Sequence, residues 1–101
     1  MGNVPKLDDA EIRQALGDLP DWRMEAGKLR RVYRFRDFVE AWGFMSAAAL
    51  LIQQMDHHPE WSNVYHTVTV DLVTHDAGGV SARDVELAQK LESLAKRWPQ
   101  G

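Results

Sequence analysis

The chain has 101 residues, 45% of them hydrophobic and 27% charged, which is typical of one globular domain rather than of a disordered or fibrous protein. Its net charge of -3 at pH 7 argues against a large basic surface for nucleic acid, because phosphate binding requires clustered lysines and arginines. The lack of cysteine excludes a disulfide framework, a thiolate nucleophile and a cysteine-based zinc site. From the length and composition we expect a single domain over residues 1–101.

The first residues, MGNVPKLDDAE, show neither the basic start nor the apolar run of a secretory signal. No segment reaches the roughly 18 uncharged apolar residues that a membrane-spanning helix needs. We therefore expect a cytoplasmic protein without a membrane anchor. Four tryptophans and several broad apolar stretches in so short a chain predict that another copy of the chain covers part of its surface.

The first half of the sequence predicts a helix, a hairpin and a second helix. Asp8 or Asp9 can cap a first helix that ends near Gly17, and two extended runs, Trp22–Glu25 and Lys28–Phe35, surround a glycine turn. The longest helical pattern runs from the capping residue Asp37 to about Gln54. It predicts a central core helix whose apolar face carries Phe38, Ala41, Trp42, Met45, Ala48, Ala49, Ile52 and Met55.

A basic run from Lys28 to Arg36 lies within this hairpin. Its arginines alternate with apolar residues, which is typical of a strand with one solvated face. Because the whole chain is acidic, we favour that interpretation over a stripe for nucleic acid.

The second half predicts strands followed by a helix. Asn63–His75 alternates polar and apolar residues, either as one long strand or as a short pair with a bend near His66. Alternation places Val64, Val68, Val70 and Leu72, with His66, on the core side, and Asn63, Tyr65, Thr67, Thr69, Asp71 and His75 on the other. Ser81 and Asp84 form a capping box for a last helix that carries Trp98 near its end. The element order predicts an α+β fold in which helices cover one face of an antiparallel sheet.

The stretch DHHPEWSNVYH contains three of the four histidines of the chain. His57 and His58 follow the long helix and precede Pro59, which cannot continue a helix, while His75 comes just before a double glycine turn. An imidazole titrates near pH 6.5 and can give or take a proton at neutral pH. Histidines on loops of a rigid scaffold therefore predict acid and base chemistry here.

Other roles compete for these residues. Three imidazoles could hold zinc, but His57 and His58 are adjacent and no HExxH pattern is present, which makes a metal site the weaker hypothesis. A serine nucleophile is weaker still because the chain has no GxSxG turn. His66 is most simply a satisfied buried or interfacial histidine, and Asp84 is most simply a helix cap unless its side chain also reaches a cleft.

The run HHPEWSNVYH, followed by TVDLVTHDAGGVSARDVELA, resembles the pterin-4a-carbinolamine dehydratase family, whose pattern combines HHPxWxNVY, TH[DE]xxG and a helix that begins with SxRD. The resemblance implies a four-stranded antiparallel sheet with three helices packed on one face, assembled as a homodimer or homotetramer. It also implies a hydro-lyase that converts 4a-hydroxytetrahydrobiopterin to quinonoid dihydropterin. The pterin would be the substrate, with no metal and no cofactor, in the recycling pathway of aromatic amino-acid hydroxylases.

The resemblance also implies roles for individual residues. The predicted catalytic residues are His57, His58 and His75. His57 and His75 match the first and third motif histidines, the acid and base pair, with the two roles left unassigned between them, and His58 matches the second, which chiefly binds the pterin. Further pattern positions that we expect at the substrate site are Pro59, Tyr65 and Asp84. One departure is Gln53, which stands where the family usually has a charged residue, and its amide can still form hydrogen bonds there.

A different class of function stays open at this point. The family also includes dimerisation partners of a transcription factor and assembly chaperones, in which the same fold is a non-catalytic interaction module. A relative that had given up catalysis would be expected to lose motif histidines, and this chain keeps all three. We therefore favour the enzyme.

Overall fold

The structure, a computed structural model, describes residues 4–100 and contains three α-helices and four β-strands. The predicted domain limits at residues 1 and 101 lie outside the described residues. In chain order the elements are α1 (Asp9–Leu16), β1 (Arg23–Glu25), β2 (Lys28–Arg34), α2 (Phe38–Met55), β3 (Glu60–Val64), β4 (Thr67–Leu72), a short 3₁₀ turn (His75–Ala77) and α3 (Ala82–Ala95).

The four strands form one antiparallel sheet in the order β1-β2-β4-β3. Alternate residues of the two central strands point to one buried face, which includes Leu29, Tyr33, Val68, Val70 and Leu72. Apolar residues of α2 and α3 pack in the same core, including Ala41, Phe44, Ala48, Ile52, Leu87, Ala88, Leu91 and Ala95. The opposite face of β2 and β4 carries charged and hydroxyl side chains, as alternation along a strand requires. The predicted α+β fold is therefore confirmed.

Local signals place most helix and hairpin boundaries where the sequence predicts them. The side chain of Asp8 accepts a hydrogen bond from the Glu11 amide and so caps α1, while Ala26 and Gly27 adopt positive φ in the turn that joins β1 to β2. Two positive φ values in a two-residue loop match the twist of a hairpin. α3 ends at Ala95, three residues before Trp98, because the last amides bond to carbonyls three residues back and Pro99 follows.

The prediction that Val64 faces the core is wrong. The run Asn63–His75 is split between two strands, and the register pairs Val64 with Thr67 and Asn63 with Val68. Val64 is consequently 75% exposed. The turn at Tyr65 and His66 reverses the chain, so alternation counted straight through it assigns the residues of the first strand to the wrong faces.

α2 has apolar residues on both of its sides. The inward side includes Ala41 and Phe44, which are fully buried, whereas Phe38, Trp42 and Ala49, also predicted to face the core, are exposed. The broad apolar pattern of the sequence therefore combines a core face with a second face in solvent. Within the described residues, no helix, including α2, has both the length and the apolar character to cross a membrane.

A carboxylate on α3 ties the helical layer to the sheet. The Trp22 indole, the Arg31 guanidinium and the Tyr33 hydroxyl all donate hydrogen bonds to Oε1 of Glu92, at 2.8, 2.8 and 2.9 Å. Burial raises the pKa of Tyr33, since a phenolate would lose its hydration, and the Glu92 charge adds to the effect. The hydroxyl therefore stays protonated and remains a donor.

Replacing Glu92 tests this attachment. Glu92→Ala leaves three donors without their acceptor, and we expect it to lower the free energy of unfolding by about 2–4 kcal/mol. Glu92→Gln keeps one acceptor oxygen and should lose about half as much. Urea denaturation measures both changes. Glu86→Ala, an exposed position on the same helix, is the control and should change stability by less than about 0.5 kcal/mol; equal losses at the two positions would contradict the assignment.

Candidate active site

Asp84 is a fully buried carboxylate at the start of α3, and all of its partners are polar. Its Oδ2 accepts hydrogen bonds from the Ser81 amide and the Thr74 hydroxyl, each at 2.8 Å, and its Oδ1 lies 2.6 Å from Nε2 of His57. A buried charge is tolerated only when hydrogen bonds replace its lost hydration. The predicted cap therefore has a second role, because the same side chain reaches a histidine.

His57 is positioned by the way α2 ends. Asp56 adopts a left-handed conformation with φ 50, and its amide donates to the Gln53 carbonyl while the His57 amide donates to the Ile52 carbonyl. These two bonds form a Schellman-type closure, which fixes the backbone directly after the helix. An aspartate tolerates this conformation better than most residues other than glycine.

Arg83 reinforces the same helix end from α3. Its Nη2 donates a 2.6 Å hydrogen bond to the Met55 carbonyl and a longer one, 3.4 Å, to the Asp56 carbonyl. Carbonyls at a helix C-terminus have no partners within the helix, so a guanidinium there satisfies them and complements the helix dipole. The start of the loop that carries His57 and His58 is thus fixed both by the closure of α2 and by Arg83 on α3.

The His57 side chain is 10% exposed, and its hydrogen bond to Asp84 has a defined direction. An ionised aspartate only accepts hydrogen bonds, so Nε2 carries the hydrogen that faces Asp84. In the neutral ring Nδ1 is then the free acceptor. The arrangement allows His57 to take up a proton through Nδ1 and return it.

His75 lies on the 3₁₀ turn after β4, and its side chain is 76% exposed. Its Nε2 is 3.2 Å from Oε2 of Glu60, at the start of β3. Oε1 of Glu60 also pairs with the Lys28 ammonium. The hydrogen bond from Lys28, and then the one from His75, lowers the pKa of Glu60, so this carboxylate stays ionised beside the imidazole.

The imidazoles of His57 and His75 line one open cleft of about 280 Å³. Its wall is formed by Asp56, His57, His58, Val73, Thr74, His75, Asp76 and Arg83. A groove of about 470 Å³ between α2 and α3 is larger but is lined by no histidine. The smaller cleft is the better candidate because it holds three histidines, the residue type that most often serves as general acid or base.

The predicted site residues fall into two groups by position. The structure brings His57, His58 and His75 to the cleft, with Asp84 directly behind His57. Pro59 is half-buried next to His58 and does not line the cleft. Tyr65 is exposed in the turn at the other end of the β3–β4 hairpin, where it stacks on His66. The binding roles of His58, Pro59 and Tyr65 stay predictions.

Three further residues were not singled out by the sequence. Thr74 and Arg83 line the cleft, and Glu60 contacts His75 from outside it. Thr74 and Arg83 belong to the motifs TH and SxRD, so the motif pattern was a usable signal for them. Glu60 is the first residue of β3, and it reaches His75 only through the pairing of β3 with β4. Gln53 is exposed on the last turn of α2 and does not line the cleft.

No group of three or more histidine or carboxylate side chains within residues 4–100 is arranged to hold a metal ion. The cleft does combine two imidazoles, each with Nε2 directed at a carboxylate, on one open surface. Such a pair can deliver a proton at one point of a bound molecule and remove one at another.

Comparison with known proteins gives a consistent family. The profile of the family described as pterin 4 alpha carbinolamine dehydratase matches residues 5–94. A protein of Solibacter usitatus named "Putative pterin-4-alpha-carbinolamine dehydratase" is 53% identical over 90 residues, which cover 89% of this chain and 95% of that protein. One of Bradyrhizobium diazoefficiens with the same name is 54% identical over 96 residues, covering 93% and 96%.

A solved structure from Brucella melitensis, titled as a transcriptional coactivator/pterin dehydratase, superposes with a TM-score of 0.85. It is 40% identical in sequence and covers 89% of this chain and 98% of its own. Fold and sequence therefore point to the same relatives.

Asp84→Asn tests how the buried carboxylate fixes the His57 ring. Both oxygens of Asp84 face hydrogen-bond donors, so the amide can keep its two bonds to Ser81 and Thr74 only by turning its NH₂ toward His57. We expect the neutral His57 ring to move its hydrogen from Nε2 to Nδ1, and stability to fall by about 1–3 kcal/mol.

Nitrogen-15 NMR of the imidazole distinguishes the two tautomers. Glu11→Gln is the control, since Glu11 occupies the same position in the capping box of α1 and lies far from any histidine contact. An Asp84→Asn protein whose His57 still carries its hydrogen on Nε2 would refute this description of the pair.

Proposed function

Because the chain belongs to the pterin-4a-carbinolamine dehydratase family, we propose that it removes water from 4a-hydroxytetrahydrobiopterin and releases quinonoid dihydropterin. The observation that carries the proposal is the cleft in which His57 and His75, each held by a carboxylate, face the same open space. Family membership supports dehydration, and the cleft supplies the groups that would perform it.

The reaction needs two proton transfers and no change in oxidation state. One proton goes to the departing 4a-hydroxyl oxygen as the carbon–oxygen bond breaks, and one leaves the neighbouring ring nitrogen as a carbon–nitrogen double bond forms. His57 and His75 exchange these two protons, since an imidazole can act as either acid or base in catalysis and both rings line the cleft. The pterin is the substrate, and the steps proposed here require neither an electron acceptor nor a metal ion.

The remaining cleft residues would bind the substrate. The His58 side chain is largely exposed at the mouth of the cleft, about 3.5 Å from the Asp56 carboxylate. It is therefore free to stack on or bond to a flat heterocycle. The guanidinium of Arg83 and the hydroxyl of Thr74 also line the cleft, although each already has a partner in the protein. We propose His58 as the main pterin-binding side chain.

The cellular setting follows from the reaction. Dehydration regenerates a pterin that can be reduced again, so the enzyme would act in tetrahydrobiopterin recycling next to an aromatic amino-acid hydroxylase in the cytoplasm. The Brucella melitensis protein is described as both a transcriptional coactivator and a pterin dehydratase. For this chain the three histidines of the cleft support the dehydratase.

A homodimer or homotetramer fits the exposed side of α2. Phe38, Val39, Trp42 and Leu50 are apolar and exposed on this helix, whereas its opposite side is packed in the core. Several large apolar side chains exposed on one helix are typical of a protein interface. We propose that a second copy of the chain covers this surface.

Trp42→Glu tests that contact. A charge in the middle of an apolar interface loses its hydration on association, so we expect a smaller particle by light scattering coupled to size-exclusion chromatography. Gln89→Glu places a charge on an exposed part of α3 and should leave the mass unchanged. A wild-type protein that is already monomeric at micromolar concentration would contradict the proposal.

His57→Ala and His75→Ala test the proposed catalysis. Each removes one proton-transfer group, which typically contributes about 100-fold to 10,000-fold in rate, so we expect kcat to fall within that range. Stopped-flow absorbance of freshly generated 4a-hydroxytetrahydropterin measures the rate, before and after treatment with a chelator. Chelation should not change it.

His66→Ala is the matched control, because that ring bonds to Thr67 outside the cleft and its removal should leave the rate near wild type. His57→Ala also deprives the buried Asp84 of a partner, so its fold is verified by circular dichroism. If the wild-type protein does not raise the dehydration rate above the spontaneous rate, the proposed enzyme function is wrong. If the chelator abolishes the activity, the metal-free mechanism is wrong.

A further inference from the structure

Three ionisable side chains meet at the cleft end of the open face of the sheet. Lys28 begins β2, Glu60 begins β3, and His75 follows β4. Glu60 accepts from Lys28 through one carboxylate oxygen, and its other oxygen lies 3.2 Å from Nε2 of His75. Glu60 itself does not line the cleft, and its contact with a cleft residue is the hydrogen bond to His75.

The charges around Glu60 explain why this carboxylate is available to His75. Glu60 lies directly opposite Asp71 on β4, and two like charges in such a pair repel each other. Arg30 neutralises Asp71 with two hydrogen bonds of 2.8 and 2.9 Å. Lys28 contacts only Oε1 of Glu60. The other oxygen, Oε2, is therefore available to accept a hydrogen bond from His75.

The His75 ring depends on this contact for its orientation. Within the part of the chain that the structure describes, the bond to Glu60 is the only hydrogen bond of that ring. The side chain is exposed and lies on a turn of three residues, so packing does not select one of the two ring orientations about χ2. An ionised carboxylate accepts only, and it therefore selects the orientation in which Nε2–H points to Glu60 on β3.

The same nitrogen is engaged in both histidines. Nε2 of His57 is held by the buried Asp84, and Nε2 of His75 is held by the exposed Glu60. Each neutral ring then has Nδ1 as its free acceptor, and each protonated ring has Nδ1–H as its unpaired donor.

We propose that Glu60 is a positioning residue that holds His75 through Nε2 and thereby leaves Nδ1 as the atom that exchanges a proton with the substrate. Its catalytic part rests on the proposed dehydratase function, whereas the ring orientation is a property of the free protein. The charged groups that face or adjoin His75 are Glu60 on β3, Lys28 behind it on β2, Asp76 in the same turn, Arg83 on α3, and Asp56, His57 and His58 in the loop after α2.

Glu60→Ala and Glu60→Gln separate the parts of the proposal. Alanine removes the acceptor, so we expect the carbon-13 relaxation order parameters of the His75 ring to fall clearly below those of the wild type. Glutamine keeps an acceptor oxygen and should restore most of the order. Because exposed ion pairs are weak, we expect kcat of Glu60→Ala to fall only about three- to tenfold, with KM within about twofold of wild type.

Ser62→Ala is the matched control, since Ser62 lies on the same face of the same strand, two residues farther from the cleft. Its ring dynamics and kcat should equal those of wild type. A His75 ring that is equally ordered in wild type and Glu60→Ala overturns the positioning role, as does an unchanged kcat in a protein that is an active dehydratase. If the wild type has no dehydratase activity, the proposed function fails, and the ring order alone decides whether Glu60 holds His75.

Discussion

The hydrogen bonds of one buried carboxylate join the parts of the molecule that form the cleft. Asp84 lies in the first turn of α3, and its oxygens bind Thr74 from the segment after β4 and His57 from the loop after α2. Thr74 and His57 lie outside the regular helices and strands, so no backbone ladder fixes their positions relative to α3. A fully buried charge with three partners does, because each lost bond would leave the carboxylate without hydration or compensation.

The two proposed catalytic histidines occupy contrasting environments. His57 is buried, and Asp84 and the closure of α2 hold it from two directions, whereas His75 is open to solvent and has Glu60 as its partner. A preorganised group loses little freedom when the substrate binds, while an exposed one can adjust to it. The cleft therefore combines a buried histidine with an exposed one, and each is oriented by one carboxylate.

Sequence reasoning predicted the elements whose signals are local. Asp8, Asp37 and Ser81 were recognisable as caps, and the loop with His57 and His58 follows from a helix that a proline cannot continue. Features set by long-range pairing were not predictable in this way. Val64 was assigned to the wrong face because the turn before β4 breaks the alternation. The contact between Glu60 and His75 arises because β3 pairs with β4, the strand that His75 follows.

The double use of Asp84 also bears on how the protein can change in evolution. Because this residue both caps a helix and holds His57, a substitution there damages folding and chemistry together and would be removed by selection even in a lineage that no longer needs the reaction. His58 and His75 are exposed, and their replacement affects few contacts. A descendant that no longer catalyses the reaction should therefore lose His58 and His75 first and retain His57 and Asp84 for their contribution to stability.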